Sequence, residues 1–314
     1  MIVIFSVTLP VFAFIATGAL AARLELLGAE ATNVLNKFVV YLALPALLFD
    51  ATARIRWVDI AHPGFFVAFG GGMALTFLAG AMFSRAGGAR LADQSIQALG
   101  ASFSNVGLMG IPLCRLALGE ESLIPAAIAT ILTASVLFGC AIAVIESDVQ
   151  AGQNVRHTLF SILKTLARNP LLLAPVGGAI FAASGLPVPD ALANFTKLLS
   201  SAATPCALVA LGLFLAERSA AFEPGVIGRL AALKLLAQPA ITALLVFTIT
   251  DLPPVWAKTA VLMSALPTGT GPFILSKLYG RETLSATGAI LVSTLASFAT
   301  VTGLLAWLAL PSHL

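Results

Sequence analysis

Charge is scarce in this sequence. Only 10% of its 314 residues are Asp, Glu, Lys or Arg, 59% are hydrophobic, and the mean hydropathy is +1.00. That is too little polar surface to coat a soluble globule of this length. The composition therefore excludes a water-soluble enzyme or binding domain and points to a multi-pass membrane protein. Cysteine is scarce as well. Cys114, Cys140 and Cys206 are odd in number, widely spaced and each set in an apolar run, which excludes a disulfide framework or a cysteine metal site and reads as small buried hydrophobes. The three histidines, His62, His157 and His313, fall in connections or at the terminus, leaving no buried histidine relay. No span carries an acidic residue near its middle, so neither a carboxylate proton relay nor a carboxylate-based sodium site is expected there. Signatures of catalysis and of nucleotide binding are missing too. There is no HExxH, no pair of intramembrane aspartates and no Gly-x-Ser-x-Gly beside a histidine. Gly70-Gly71-Gly72 lacks the strand and lysine of a phosphate loop and reads as close helix packing. No metal and no cofactor are expected. A coupling ion, H+ or Na+, stays open, because carbonyls and hydroxyls could hold sodium.

What the chain does have is apolar runs of about 20 residues, the length that crosses about 30 Å of hydrocarbon. They fall at roughly 3–22, 31–50, 61–83, 94–118, 122–145, 168–186, 192–216, 226–250, 256–279 and 284–309. The first reads as a retained span and not a cleaved leader, since Met1-Ile2-Val3 carries no positive charge ahead of Ala19-Leu20-Ala21-Ala22. A polar connection, Glu146 to His157, divides the runs five and five. The resulting organisation is 1–146, a connection at 147–157, and 158–314. The basic residues lie mostly between spans, where they set orientation, so the net charge of +3 is no sign of nucleic acid as a partner. One side collects eleven: Arg23, Lys37, Arg85, Arg90, Arg156, Lys164, Arg168, Arg218, Arg229, Lys277 and Arg281. The other collects Arg54, Arg56, Arg115, Lys197 and Lys258. The positive-inside rule then places both termini outside and the central connection in the cytoplasm.

Shifting the chain on itself by 160 or 161 residues superposes residues of uncommon type. Leu9-Pro10 and Gly18 meet Asn169-Pro170 and Gly178; Lys37 with Pro45 meets Lys197 with Pro205; Pro63-Gly64 meets Pro224-Gly225; Gly110 and Gly119 meet Gly271 and Gly280. Coincident Pro, Gly and Lys at one offset point to a duplication. Because five spans are an odd number, the second copy enters the membrane from the opposite face. The expected fold is an all-α membrane protein of ten transmembrane helices in two inverted five-helix repeats, with helices 4 and 9 broken and crossing.

The breaks are expected in Ser102–Pro112, SFSNVGLMGIP, and in Ala265–Pro272, ALPTGTGP. Non-helical backbone at membrane depth survives only where protein or a wet cavity satisfies it, and such breaks recur at substrate sites of secondary carriers. Gly110, Pro112, Pro267, Gly271 and Pro272 are the helix-breaking residues. Ser104, Asn105 and Gly107, with Thr268 and Thr270 from the second half, supply hydroxyl, amide and backbone groups, and the resumed half-helices turn N–H groups and a positive dipole end toward an anion. Lys234 lies well inside the eighth span, where a lysine costs about 2.5 to 3.5 kcal/mol, with Gln238 at i+4. It reads either as the attracting charge or as a structural strut paired with a backbone carbonyl or a loop carboxylate.

These residues resemble the auxin efflux carrier family, specifically its bacterial branch of malonate- and malate-type organic-acid permeases. The resemblance rests on Ala43-Leu44-Pro45-Ala46-Leu47-Leu48-Phe49, Ser104-Asn105-Val106-Gly107, Gly110-Ile111-Pro112-Leu113, Asn169-Pro170, Ala207-Leu208, Leu211-Gly212, Leu233-Lys234 with Pro239, and Ala265-Leu266-Pro267. It implies a fold related to the bile-acid sodium symporters, with helices 4 and 9 crossing at prolines beside the substrate. The fourth span reads Ser104-Asn105-Val106 where plant hormone carriers have Asn-Pro-Asn, so a small carboxylate is expected in place of auxin. The expected function is secondary transport of a small organic anion by alternating access in a bacterial inner membrane, with the lipid bilayer as surroundings and a homodimer left open. An anion channel or a membrane-embedded anion sensor using the same pocket is the rival.

Overall fold

The computed structural model describes residues 2–28, 30–53, 62–149, 170–216, 224–282 and 284–308. Arg54, Arg56, Arg156, Lys164, Arg168, Arg218, His157, His313, Asn169 and the central connection beyond Val149 lie outside the described residues. In chain order α1 is Ile2–Arg23, α2 Ala31–Phe38, α3 Leu44–Thr52, α4 Pro63–Phe65, α5 Gly71–Ala86 and α6 Leu91–Ser102. Then come α7 Ile111–Leu118, α8 Leu123–Ile131, α9 Phe138–Val149, α10 Pro170–Ala183, α11 Asp190–Ser201 and α12 Ala203–Ala216. The last are α13 Pro224–Ala232, α14 Gln238–Ile249, α15 Pro254–Ser264, α16 Gly271–Leu278 and α17 Leu284–Leu308. Among the described residues the only extended contact is an isolated antiparallel bridge between Ser104 and Thr268.

Among the described residues, six helices are long and apolar enough to cross a membrane: Ala31–Asp50, Pro63–Ala86, Glu120–Asp148, Asp190–Ala216, Pro224–Ile249 and Leu284–Leu308. Leu9–Arg23 and Val106–Leu118 are shorter apolar helices. The chain is thus a multi-pass, all-helical membrane protein. Pro63, Pro170, Pro224 and Pro254 each open a helix, where the missing N–H has no intrahelical acceptor to lose. Gly119 and Gly280 follow α7 and α16 with φ of 83° and 59°, a left-handed conformation that stops a helix cheaply only at glycine. Several spans contain a π-helical turn, at Val39–Ala43, Phe66–Gly70, Val106–Gly110, Leu132–Leu137 and Leu233–Ala237. Each widens the helix by a residue and locally re-aims its side chains.

The helices pack into two compact units, 1–62 with 107–128 and 168–219, and 63–106 with 129–167 and 220–314. In the first unit the closest helix contacts run through glycine. A Cβ on Gly18 would lie 2.2 Å from the Val209 carbonyl oxygen, and one on Gly212 would lie 2.0 Å from that of Ile15, so α1 and α12 touch backbone to backbone. Gly178 of α10 does the same against Phe49 and Thr52 of α3. Hydrocarbon offers no hydrophobic drive between helices, so close van der Waals approach at small residues takes its place.

In the second unit α5 lies along α14, with Gly72 pressed on the Thr242 hydroxyl, and along α6, with Gly80 on Ala98. Ser95 Oγ donates to the Ala141 carbonyl at 3.0 Å, tying α6 to α9. Phe65 stacks on Phe69 and meets Trp256 edge-on at 5.5 Å. At one end, Arg281 pairs with Asp93 at 3.4 Å and Asp148 at 3.8 Å, and the Tyr279 hydroxyl donates to Glu146. Hydroxyls inside these apolar helices are mostly satisfied by carbonyls one turn back, as in Thr76 to Gly72 at 2.7 Å and Thr294 to Ile290 at 2.7 Å.

Candidate functional site

Two helices of the second unit end inside apolar sequence, and their ends are bonded to each other. Helix α6 stops at Ser102 because Phe103 is extended, with φ −80° and ψ 97°. Helix α15 stops at Ser264, and the chain is non-helical from Ala265 until α16 begins at Gly271. Within the gaps, Asn105 N–H donates to the Pro267 carbonyl at 2.9 Å and Gly269 N–H donates to the Phe103 carbonyl at 2.8 Å. These two bonds flank the Ser104–Thr268 bridge. A pair of extended segments buried this deeply would otherwise leave polar backbone groups unmet, at about 1–3 kcal/mol each.

Side chains complete the carbonyl ends. Thr268 Oγ donates to the Gly100 carbonyl at 2.8 Å, covering the last turn of α6, while Thr268 N–H donates to Ser293 Oγ at 3.0 Å. Lys234 is fully buried, and its Nζ donates to the Ser264 carbonyl at 2.6 Å. The ammonium thus sits against the negative end of α15, the placement a helix dipole favours. Of the roles read for Lys234, the hydrogen bond to a backbone carbonyl is the one seen. Gln238, the residue paired with it on sequence grounds, is also fully buried but follows the π-helical turn Leu233–Ala237.

Not every buried polar atom is met. Ser104 Oγ, Asn105 Nδ2, both amide atoms of Gln238 and Thr242 Oγ are buried without a hydrogen-bond partner. Buried polar groups are normally satisfied, and an exception calls for a water, ion or ligand. The carbonyls of Gly100, Phe103, Ser104, Ser264 and Pro267 all receive donors. The amide nitrogen of Asn105, which can only donate, is left over beside them.

The expected site residues are distributed as follows. Ser104, Asn105, Pro267 and Thr268 meet directly, and Lys234 joins the same connection through Ser264. Thr270 is half-buried and accepts the first helical bond of α16, from Ile274 N–H at 3.0 Å. Gly271 and Pro272 open α16. Gly107, Gly110 and Pro112 belong to the first unit; the two glycines lie in the π-helical turn Val106–Gly110 and Pro112 in the first turn of α7. The non-helical residues of this segment are Phe103, Ser104 and Asn105.

Three contributors escaped the sequence reading. The ring of Phe103 lies on Gly269 and Gly271, where a Cβ would come within 3.0 and 2.9 Å of it, and is backed by Phe138 at 5.9 Å. Two glycines spaced i, i+2 around a threonine were the available signal for a bulky neighbour. Ser293 is a hydroxyl in the middle of the long α17, and Ser264 acts through its carbonyl, which no residue type encodes. Among the described residues no three His, Cys, Asp or Glu side chains converge as a metal site.

Comparison with known proteins bears on this geometry. A family model described as membrane transport protein matches residues 3–305. The chain belongs to that membrane transport family. It is auxin efflux carrier-like, as the motif resemblance implied. Over 301 residues, 95% of this chain and 93% of the relative, it is 34% identical to the "Putative malonate transporter" of Rhizobium meliloti (strain 1021). Family and relative are transport proteins and not enzymes, in keeping with the missing catalytic signatures.

Proposed function

We propose that this membrane transport protein is a secondary carrier of a small dicarboxylate, malonate first, whose carboxylate is held at the Ser104–Asn105 and Pro267–Thr268 pairing. One observation carries the reading: at the paired helix ends the carbonyls named above are covered by donors, while Asn105 Nδ2 is buried and unpaired. A place with acceptors covered and a donor to spare suits an anion. Ser104 Oγ is the second available donor. The buried charge of Lys234 and the N-terminal turn of α16 add positive potential. Malonate is the solute the relative is named for and fits the small-carboxylate expectation.

The finer architecture belongs to the same reading. Ten spans in two inverted repeats give two nearly equivalent states, one open to each side, and so alternating access. Two observations support it. The compact units divide after His62 and again after Ser219, close to the 160-residue offset at which the chain superposes on itself. Gly18 and Gly178, equivalent at that offset, each bring a helix into backbone contact. Basic residues weighted to one side place both termini outside an inner membrane, and the energy comes from an ion or substrate gradient.

The test is uptake of labelled malonate into proteoliposomes by wild-type protein and by Asn105→Ala, which keeps the backbone bond to Pro267. Wild-type uptake that saturates, and loss of uptake in a folded Asn105→Ala, is the expected result. Malonate stabilisation without flux would select a sensor, and ionic currents far above about 10^3 per second, the upper range of ordinary turnover, would select a channel. Undiminished uptake by Asn105→Ala would remove the site.

A further inference from the structure

Away from the helix breaks, the second unit bears a concave patch along α5 and the α13–α14 segment. The two run antiparallel: Gly64 meets Thr250, Gly72 meets Thr242, and Phe83 shares a groove with Arg229. The groove is open to the surface, has a volume of about 500 Å³ and is lined by Phe83, Arg229, Ala232, Leu233, Leu236 and Ala237. Phe83 is 51% exposed and Leu236 61%, so its apolar wall faces out of the unit. From Arg229 to Ala237 it follows about 12 Å of helix axis.

The upper end of the groove is cationic. Arg229 is exposed; its Nε donates to the Gly225 carbonyl at 3.0 Å, and no described carboxylate pairs with it. Beneath Arg229 a smaller cavity reaches Gln97 and Ser84, and the Ser84 hydroxyl is buried without a partner.

We propose that this groove is a binding site for an anionic phospholipid. The phosphate lies on the outer guanidinium nitrogens of Arg229, an acyl chain lies along Leu233, Leu236 and Ala237, and a headgroup hydroxyl faces Ser84. The planar guanidinium fork matches a phosphate, and basic pockets between membrane helices take anionic headgroups. The charge decides the lipid class: an arginine at the groove without a described carboxylate partner favours a net negative headgroup over a zwitterionic one.

Native mass spectrometry and thermal unfolding of the full chain in detergent, with phosphatidylglycerol, with phosphatidylcholine of the same chains, or with inorganic phosphate, test this. Phosphatidylglycerol should bind at least about fivefold more tightly than phosphatidylcholine, the factor one arginine confers near an anionic surface, and inorganic phosphate should do nothing. Arg229→Gln should reduce the preference below about twofold, while Arg90→Gln, outside the groove, should leave it intact. Ala237→Phe, which fills the apolar end, should weaken both lipids. Equal binding of the two lipids by the wild-type chain overturns the proposal even if Arg229→Gln fails to fold. So does a preference that survives Arg229→Gln, stabilisation by phosphate alone, or a dimer without lipid that dissociates in Arg229→Gln.

Discussion

Replacing Lys234 with methionine separates a structural lysine from one that also attracts substrate. The change keeps an unbranched side chain of similar length and removes the ammonium. Two stability effects oppose each other. The Ser264 carbonyl loses a charged donor at 2.6 Å, about 1.5–3 kcal/mol, while a fully buried charge no longer has to be desolvated, about 2.5–3.5 kcal/mol on insertion scales. They nearly cancel, so the melting temperature should move little. Transport should not be so protected. Pro267, whose carbonyl holds Asn105, is three residues beyond Ser264, at most about 11 Å along the chain, so Nζ lies within about 13 Å of the bridge. At that distance and an effective dielectric of about 20, a unit charge is worth about 1.3 kcal/mol to a carboxylate. That is the floor, roughly a tenfold rise in KM for malonate in proteoliposome uptake. An unchanged KM with unchanged melting would refute the electrostatic role, and an unchanged KM with a loss of about 2 kcal/mol or more would leave Lys234 a strut alone.

The packing around Phe103 gives a pair of contrasting expectations. Gly271→Ala puts a Cβ 2.9 Å from the tip of the ring, so it should cost about 1–3 kcal/mol, and Phe103→Leu should recover most of it in a melting double-mutant cycle. Gly269→Ala places its Cβ 3.1 Å from the Asn105 backbone as well, and the same second change should fail to rescue it. Thr268→Val deletes the donor that covers the Gly100 carbonyl; unfolding monitored by tryptophan fluorescence should show a loss of about 1–3 kcal/mol, and no loss would mean that a water replaces the hydroxyl.

Membrane class and the two interruptions were legible because both depend on residue types within one window: long apolar runs, then Gly, Pro, Ser and Asn in the middle of them. The position of the first interruption was not. Gly107, Gly110 and Pro112 are the local helix breakers, yet the helix ends at Ser102, before any of them. The reason is nonlocal, since Phe103 and Asn105 give up helical geometry to bond with Gly269 and Pro267, more than 160 residues away. Lys234 illustrates the same division. Its burial follows from its place in an apolar run, but its partner is a backbone carbonyl that becomes available only because α15 stops at Ser264. Phe103 was invisible for the opposite reason, since an aromatic in an apolar segment looks like ordinary core. The packing glycines were easier, because Gly18 and Gly178 stand out as small residues at equivalent places in the two halves.

The choice between anion and cation at the breaks follows from which groups are already occupied. A sodium ion in a site free of carboxylates needs about six oxygens, as hard cations in proteins do, and carbonyls at helix ends are the usual supply. Here the carbonyls of Gly100, Phe103, Ser104, Ser264 and Pro267 each hold a donor, one of them a lysine ammonium. Sodium at this place would have to share those carbonyls with their donors, each using the second lone pair, and sit beside Lys234. Replacing sodium by choline should therefore leave malonate binding to the purified chain unchanged within about twofold, by calorimetry at fixed pH. Ser264→Pro is unsuitable as a control because it perturbs α15 itself, so the comparison is Lys234→Met, which uncovers one carbonyl and removes the repelling charge. Sodium dependence in the wild-type chain that vanishes in Lys234→Met would reverse the argument, because it would mean that the ammonium helps to build a cation site and does not exclude one.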